Sequence, residues 1–342
     1  VNRKVRIKGF ACEEESRIYE FEIDIERQSN DEREISENIE KCFQQLNSAS
    51  PITDISELYT EFEYKIDDDL GKQAVQQALE ELKKNIPFIL AFNKIISEIK
   101  INGQTFKRKV QKRDEFTSKI KVNNREVYVR NDKINSVQIA VIVENNVMQS
   151  LERYPKIFIG MPLTETADYI NIPFAINSLI FDSTKERDAL SSDSENNKKL
   201  LESAFNEYRS LIEKIIEVEE NLTSLFNVVK IKLISEEKTS QNPLLEYFNE
   251  QIIKTFQEIL EKVPLVECVG GRREVVPNVI FPIDTFNASE LEEEIFNDFY
   301  ALTRKIKPNV PTKSDLKNWM QMAQILKAIE GISEYISLYD IK

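Results

Sequence analysis

Histidine is absent from this 342-residue chain. That removes Ser-His-Asp and Cys-His catalysis, histidine-ligated zinc and the Glu-x-x-His di-iron pattern, because each needs an imidazole as base or ligand. Cysteine is nearly as scarce. Cys12, Cys42 and Cys268 stand far apart with no CxxC pair among them, so reduced thiols in a cytosolic protein are expected rather than a disulfide framework or thiolate metal site. Glycine is the most informative scarcity, with only seven in the chain. A phosphate cradle needs closely spaced glycines, since the backbone must bend tightly and approach the phosphates with no Cβ in the way. The one close pair, Gly270-Gly271, is followed by Arg272-Arg273 and not by a GK[ST] helix start, which excludes a Walker loop and a Rossmann fingerprint. No apolar run approaches the ~20 residues that span a bilayer. Val1 to Phe10 lack a charged-then-apolar leader pattern, so a cytoplasmic home and no membrane partner are expected. Because the chain opens on Val1 and not on methionine, the natural N-terminus is expected upstream.

What is present reads as a globular protein of two or three domains, with 41% apolar and 31% charged residues. Val5-Arg6-Ile7 and Ile18 to Ile23 alternate and predict a strand hairpin; Ile35 to Leu46 predict a short helix. The turn-like cluster Asn47 to Thr53 marks a boundary. Residues 57–67 predict a strand with one buried face, and Ala74, Val75, Ala78, Leu79 and Leu82 predict a helix from Gly71 to Asn85, ended by Pro87. Strands follow at Ile95–Ile101, Phe116–Val122, Glu126–Arg130, Val137–Val143 and Ile157–Met161, an α+β pattern dominated by a sheet. Beyond Asn196 the period becomes helical: a long amphipathic helix from Leu200 towards Phe226, then helices at Pro243–Lys262, Ala288–Lys305 and Thr312–Ile336. Val266–Val269 and Val279–Phe281 predict a small strand pair within 264–285. No solenoid repeat is present.

The net charge of −13 disfavours non-specific nucleic-acid binding by the chain as a whole. Lys100 to Lys133 runs against it, with eleven basic and four acidic residues for a balance of +7. Lys107, Arg108, Lys109, Lys112 and Arg113 are its densest part. On alternating strands they form either a basic sheet face for nucleic acid or an acidic partner, or a solubilising surface that offsets the acidic remainder. The acidic runs, including Asp67-Asp68-Asp69, read as solvated charge, since three consecutive residues at a turn cannot all converge on a cation. Glu34 and Asn38 match the Glu-x-x-x-Asn spacing of a nucleotide-binding helix, but no Asp-x-Gly-x-Gly accompanies them and the spacing reads as coincidence.

Phe158-Ile-Gly-Met-Pro-Leu163, Pro173-Phe-Ala-Ile-Asn-Ser178 and Phe181-Asp-Ser-Thr-Lys-Glu-Arg187-Asp188-Ala-Leu190 together resemble the middle segment of sacsin-like and heat-shock-chaperone-like GHKL ATPases. Tyr59 to Tyr64 and Ile86 to Phe92 are similar to the elements just after that family's ATP-binding domain. Val263 to Gly271, Phe281-Pro282 and Trp319 are similar to its bacterial members. The resemblance implies that residues 1–50 are the tail of an ATP-binding domain and connector, that 51–195 form a ribosomal-S5-like transducer, and that 196–342 are a helical region. It implies a non-catalytic coupling part of a chaperone-like or antiviral-defence machine, with ATP and Mg2+ bound by the parent protein and none by this chain. The implied partners are the upstream domain and a protein client or effector, with nucleic acid as the alternative; the oligomeric state stays open, a dimer included. Arg187, read as a helix-start residue, is the implied contact to the nucleotide's γ-phosphate, with Lys185 as the fallback. The alternative is that Arg187 forms a surface salt bridge with Glu186 or Asp188. Asp188 departs from the family's more usual glutamate.

Overall fold

Alternating charged and apolar residues at the start of the chain build a hairpin longer than the sequence predicts. In the computed structural model, which describes residues 4–13, 17–26, 30–52, 59–66, 68–152, 154–283, 293–307 and 309–340, strands β1 (Lys4–Glu13) and β2 (Arg17–Glu26) pair antiparallel along their full length. β3 (Ser50–Ile52) and β4 (Glu61–Tyr64) flank them in the order β3-β2-β1-β4. Part of the strand expected over 57–67 lies outside the described residues. The register sorts the two faces. Lys4, Arg6 and Lys8 lie opposite Glu26, Asp24 and Glu22, with N–O separations of 2.5, 2.9 and 3.2 Å. Val5, Ile7, Phe21, Ile23, Ile25, Phe62 and Tyr64 share the other face.

Helix α1 (Glu32–Asn47) starts on Asp31, whose carboxylate accepts from the amides of Arg33 and Glu34. It covers the free edge of β2 with polar side chains. The Asn38 amide donates to the Glu26 carbonyl (2.9 Å), and the Gln45 carbonyl accepts from the Asp24 amide (3.0 Å). These elements belong to the first of two compact units, Val1–Leu82 and Lys83–Lys342. Among the described residues of the first unit only Gly9 is buried.

Helix α2 (Asp69–Phe92) overturns the expectation of a stop at Pro87. A proline inside a helix removes one hydrogen bond and crowds the preceding turn, at ~3 kcal/mol or more. The residues around it outweigh that cost. Ile86, Phe88, Ile89, Leu90 and Phe92 are all buried in the second unit, each contributing roughly 1.5–3 kcal/mol. Phe88 and Phe92 pack on Phe158, with centroids 5.6 and 5.3 Å away. Asp68 and Asp69 serve the start of this helix: Asp68 accepts from the Gly71 amide and Asp69 pairs with Lys72 at 3.0 Å. Asp67 lies outside the described residues.

The second unit opens with β5 (Glu98–Ile101), β6 (Gln104–Lys112), β7 (Thr117–Val122), β8 (Arg125–Asn131), β9 (Gln138–Glu144) and β10 (Val147–Met148). It continues with β11 (Ile157–Ile159), β12 (Met161–Pro162), the single turn α3 (Thr166–Tyr169) and β13 (Ala175–Asn177). The order is β12-β11-β13-β9-β8-β7-β6-β5, with β10 against β9. Only the β11–β13 pairing in this curled, mixed sheet is parallel among the described residues. β5 starts later than expected, because the Asn93 side chain accepts from the Ile95 and Ile96 amides and holds a turn there. Asn102-Gly103 and Asn145-Asn146 join strands in the left-handed conformation that two-residue hairpin turns need.

Helix α4 (Glu195–Val218) lays its apolar stripe on β8 and β9. It ends at Val218 and does not run on towards Phe226, because Glu219 turns its carboxylate to Arg113 and Tyr128 on the sheet. After α5 (Glu236–Thr239), helix α6 (Pro243–Lys262) has the predicted bounds, with Asn242 capping its start and Pro243 in its first turn. The expected pairing of 266–269 with 279–281 is corrected. β14 (Val266–Glu267) pairs with β15 (Arg273–Glu274), while β16 (Ile280–Ile283) pairs in parallel with β17 (Ser337–Asp340). Between them lie α7 (Glu293–Ile306) and α8 (Leu316–Lys327). Residues 288–292 of the first of these predicted helices lie outside the described residues. The second stops at Lys327, well short of Ile336, and Gly331 then turns the chain at φ +82°. Sheet and helices share one core: Phe174 stacks on Tyr208 at 4.1 Å, Phe205 meets Phe248, and Trp319 meets Phe281.

Candidate functional site

The segment between β13 and α4 contains Lys185 and Arg187. Its backbone closes on itself: the Ser191 amide donates to the Asp182 carbonyl (2.8 Å) and the Thr184 amide to that of Ala189 (3.0 Å). One buried side chain holds both ends. Asn197, in the first turn of α4, donates to the carbonyls of Asp182 (2.8 Å) and Ser191 (3.1 Å) and accepts from the Asp182 amide (2.9 Å). Ser194 adds a short hydrogen bond to the Asp182 carboxylate and caps α4. Lys185, Glu186 and Arg187 are exposed at the tip of this loop. Arg187 therefore does not start a helix. It sits eight residues before α4, at φ +57°, a left-handed conformation costing a side chain about 1–2 kcal/mol. Asp188 accepts from the Thr184 hydroxyl at 2.6 Å, and among the described residues the Arg187 guanidinium makes no ion pair. The arrangement presents a cation on a braced loop.

The basic strand is less uniform than its composition. Strand alternation sends Lys107 and Lys109 to one face of β6 and Arg108 and Lys112 to the other. Arg108 is used by the fold. Its guanidinium donates to the carbonyls of Asn93 (2.6 Å), Lys94 (2.7 Å) and Leu90 (3.4 Å), closing the C-terminal end of α2 where carbonyls lack helical partners. Arg113 meets Glu219 at 2.6 Å in a network with Lys119 and Tyr128. Burial, reinforced by the bond to Glu219, pushes the Tyr128 phenol up to about 12. Burial opposes the charge on Glu219, but hydrogen bonds from Tyr128 and Lys119 prevail and hold its carboxyl below the usual range. Lys107, Lys109 and Lys112 stay exposed, and Lys109 lies directly opposite exposed Lys121 on β7.

A polar constellation escaped the sequence reading. Asn131, Gln138 and Asn177 are cross-strand neighbours on β8, β9 and β13. The Asn177 amide donates to Gln138 (2.8 Å), and that of Gln138 to Asn131 (2.9 Å). They line an open cavity of about 550 Å³ with exposed Ile95, Ile134, Leu179 and Ile180 at its rim. Seven and thirty-nine residues separate the bonded pairs, so only the sheet register could have revealed them.

As for reactive groups, Cys268 is buried and burial, with Glu274 and Glu267 nearby, pushes its thiol up to about 11, which keeps it protonated at neutral pH. Among the described residues no group of three Asp, Glu or Cys side chains converges as a metal site. Comparison of the chain with known protein families, with characterised proteins and with solved structures finds no match.

Proposed function

We propose that this chain is the non-catalytic coupling part of a nucleotide-driven machine, in which the 182–191 loop offers Arg187 to the γ-phosphate of an ATP bound by an upstream domain. The observation that supports the reading is the loop itself, which exposes Lys185 and Arg187 on either side of Glu186, engages neither cation in an ion pair among the described residues, and is braced at both ends by buried Asn197. Guanidinium stays charged and offers a planar fork, which suits charge developing on a transferred phosphoryl group. In this reading β5–β13 form a ribosomal-S5-like transducer, and the helices from α4 onward convey closure to a client or effector in the cytoplasm. ATP and Mg2+ act in the parent protein and not in this chain.

The test is made in a protein that carries the nucleotide-binding domain ahead of Val1. Arg187→Ala should leave ATP affinity nearly intact and lower turnover by roughly 10²–10³-fold, the loss typical of one preorganised charge-stabilising donor. Arg187→Lys should restore little. Unchanged turnover in the alanine variant would overturn the role of Arg187. Saturable binding of ATP-Mg2+ to the 342-residue chain alone, tighter than ~1 mM, would overturn the assignment of catalysis elsewhere.

A second reading draws on the Lys109–Lys121 pair, like charges directly opposite that Glu126, across from Lys121 on β8 and paired with Lys119, offsets only in part, so that the exposed lysines of β6 would accept a further anion. An acidic protein or nucleic acid would supply one. Binding of a labelled oligonucleotide that fades steeply with salt would support it, and no binding at low salt would exclude nucleic acid.

A further inference from the structure

The first unit holds an apolar surface that its own helix does not close. Its sheet segregates charge onto one face and Val5, Ile7, Ile23, Ile25, Phe62 and Tyr64 onto the other. Phe62 and Tyr64 remain 56% and 53% exposed there. Beside it, Ile35, Ile39, Cys42, Phe43 and Leu46 recur at helical spacing on α1 and with Ile25 line an open groove of about 320 Å³. Ile39 and Phe43 are 51% and 61% exposed, in a helix with no buried residue. Contiguous exposed aliphatic and aromatic side chains of this kind mark an interaction surface.

Charge selects the occupant. Residues 1–82 contain ten Lys and Arg against twenty-one Asp and Glu, a balance of −11, whereas the rest of the chain stands at −2. Glu26 lines the groove itself, and Glu32 lies on the apolar side of α1, three residues before Ile35 and seven before Ile39. A second copy of this unit would bring the same excess of negative charge to the groove. We propose that the α1–β2 groove of the first unit binds the apolar side of a cationic amphipathic helix, seated as apolar anchors at i, i+3, i+4 and i+7 in a hydrophobic groove, with its basic residues answering the acidic rim. This assignment does not depend on the role of Arg187.

The probe is a synthetic amphipathic peptide with leucine on one helical side and lysine on the other, titrated into the full 342-residue chain. Its control has the same leucines with glutamate replacing lysine. The lysine peptide should bind saturably, weaken as salt rises from ~0.05 to ~0.5 M, and bind at least about tenfold more tightly than the control. The deciding variant is Ile39→Glu, backed by Phe43→Glu. Each adds a negative charge, so attraction to overall charge alone would strengthen, whereas a seated apolar face should lose about tenfold or more, the worth of one apolar anchor. Ile134→Glu, in the second unit, should leave binding unchanged. Both replaced side chains in α1 are half-exposed, so the variants should keep their circular dichroism. Four results would overturn the proposal: no binding, equal binding of both peptides, binding unchanged or strengthened by Ile39→Glu, or a dimer that Ile39→Glu dissolves.

Discussion

Two regions of one chain use the same alternating strands to opposite ends. In the first unit, four strands and one edge helix bury Gly9 alone among the described residues. In the second, a sheet receives the end of α2 on one side and α4 on the other, and buries Tyr128, Phe158, Phe174, Phe205 and Trp319. Apolar alternation specifies a strand in both cases; it does not specify a core. A core needs a second layer, and the number of elements available to cover a sheet decides whether its apolar face is structural or free to bind. The acidic excess falls on the uncovered unit, which suits a surface that must stay soluble while it exposes aromatic and aliphatic groups.

The largest expected effect separates the two units by stability. Phe205→Ala, which empties the contacts to Phe174 and Phe248, should cost about 3–5 kcal/mol in denaturant unfolding of the second unit. Phe62→Ala in the first unit should cost under about 1 kcal/mol. Comparable losses at the two sites would break the comparison. Arg108→Ala should cost roughly 1–3 kcal/mol, because the α2 end carbonyls lose charged donors, and Arg108→Lys should recover only part. Guanidinium and ammonium variants of equal stability would show that the fork geometry is not used.

A pH dependence sharpens the point further. Lys156 is fully buried and donates to the carbonyls of Leu151 (2.6 Å) and Tyr154 (2.5 Å). Burial, with Lys84 nearby and against the pull of Glu152, lowers its ammonium from the ordinary 10.5 to about 8. Between these values the unfolded chain keeps a proton that the folded chain has lost. The Lys156 contribution to stability therefore rises with pH from about 8 to 10.5 and is least favourable below that window. Unfolding free energies at about pH 7 and about pH 10 should show this rise in wild type relative to Lys156→Met. A parallel pair of profiles would refute it. The smallest effect belongs to Arg187. Arg187→Gly should raise stability by about 0.5–1 kcal/mol, since the left-handed turn suits glycine. A loss on that substitution would make the side chain structural.

Long, strongly periodic segments were legible. Pro243 to Lys262 combine an asparagine cap, a first-turn proline and an unbroken apolar stripe, and the helix has the predicted bounds. The strands β7, β8 and β9 emerged from their apolar cores. Strand β6 did not, because Lys107, Lys109 and Lys112 give it the appearance of a charged loop while its partners on β7 supply the pairing. Pro87 misled for the opposite reason: local backbone chemistry stops a helix there, and burial of Phe88 and Phe92 continues it. At the candidate site, the residue types of the Arg187 segment were readable, but not its conformation. A left-handed arginine held through Asn197, ten residues onward, depends on a side-chain network that no spacing rule encodes. The Asn131–Gln138–Asn177 chain depends on register in the same way.

Amide hydrogen exchange of the intact chain, followed segment by segment, tests most directly the claim that one unit is self-sufficient and the other open. Strands β7 to β9 and helices α4 and α6 should exchange only through global unfolding of their unit. Strands β1 and β2 and helix α1 should exchange far faster, and should slow when the leucine–lysine peptide is added. Equal protection of both units in the free chain, or no slowing of β2 and α1 with the peptide bound, would contradict the account.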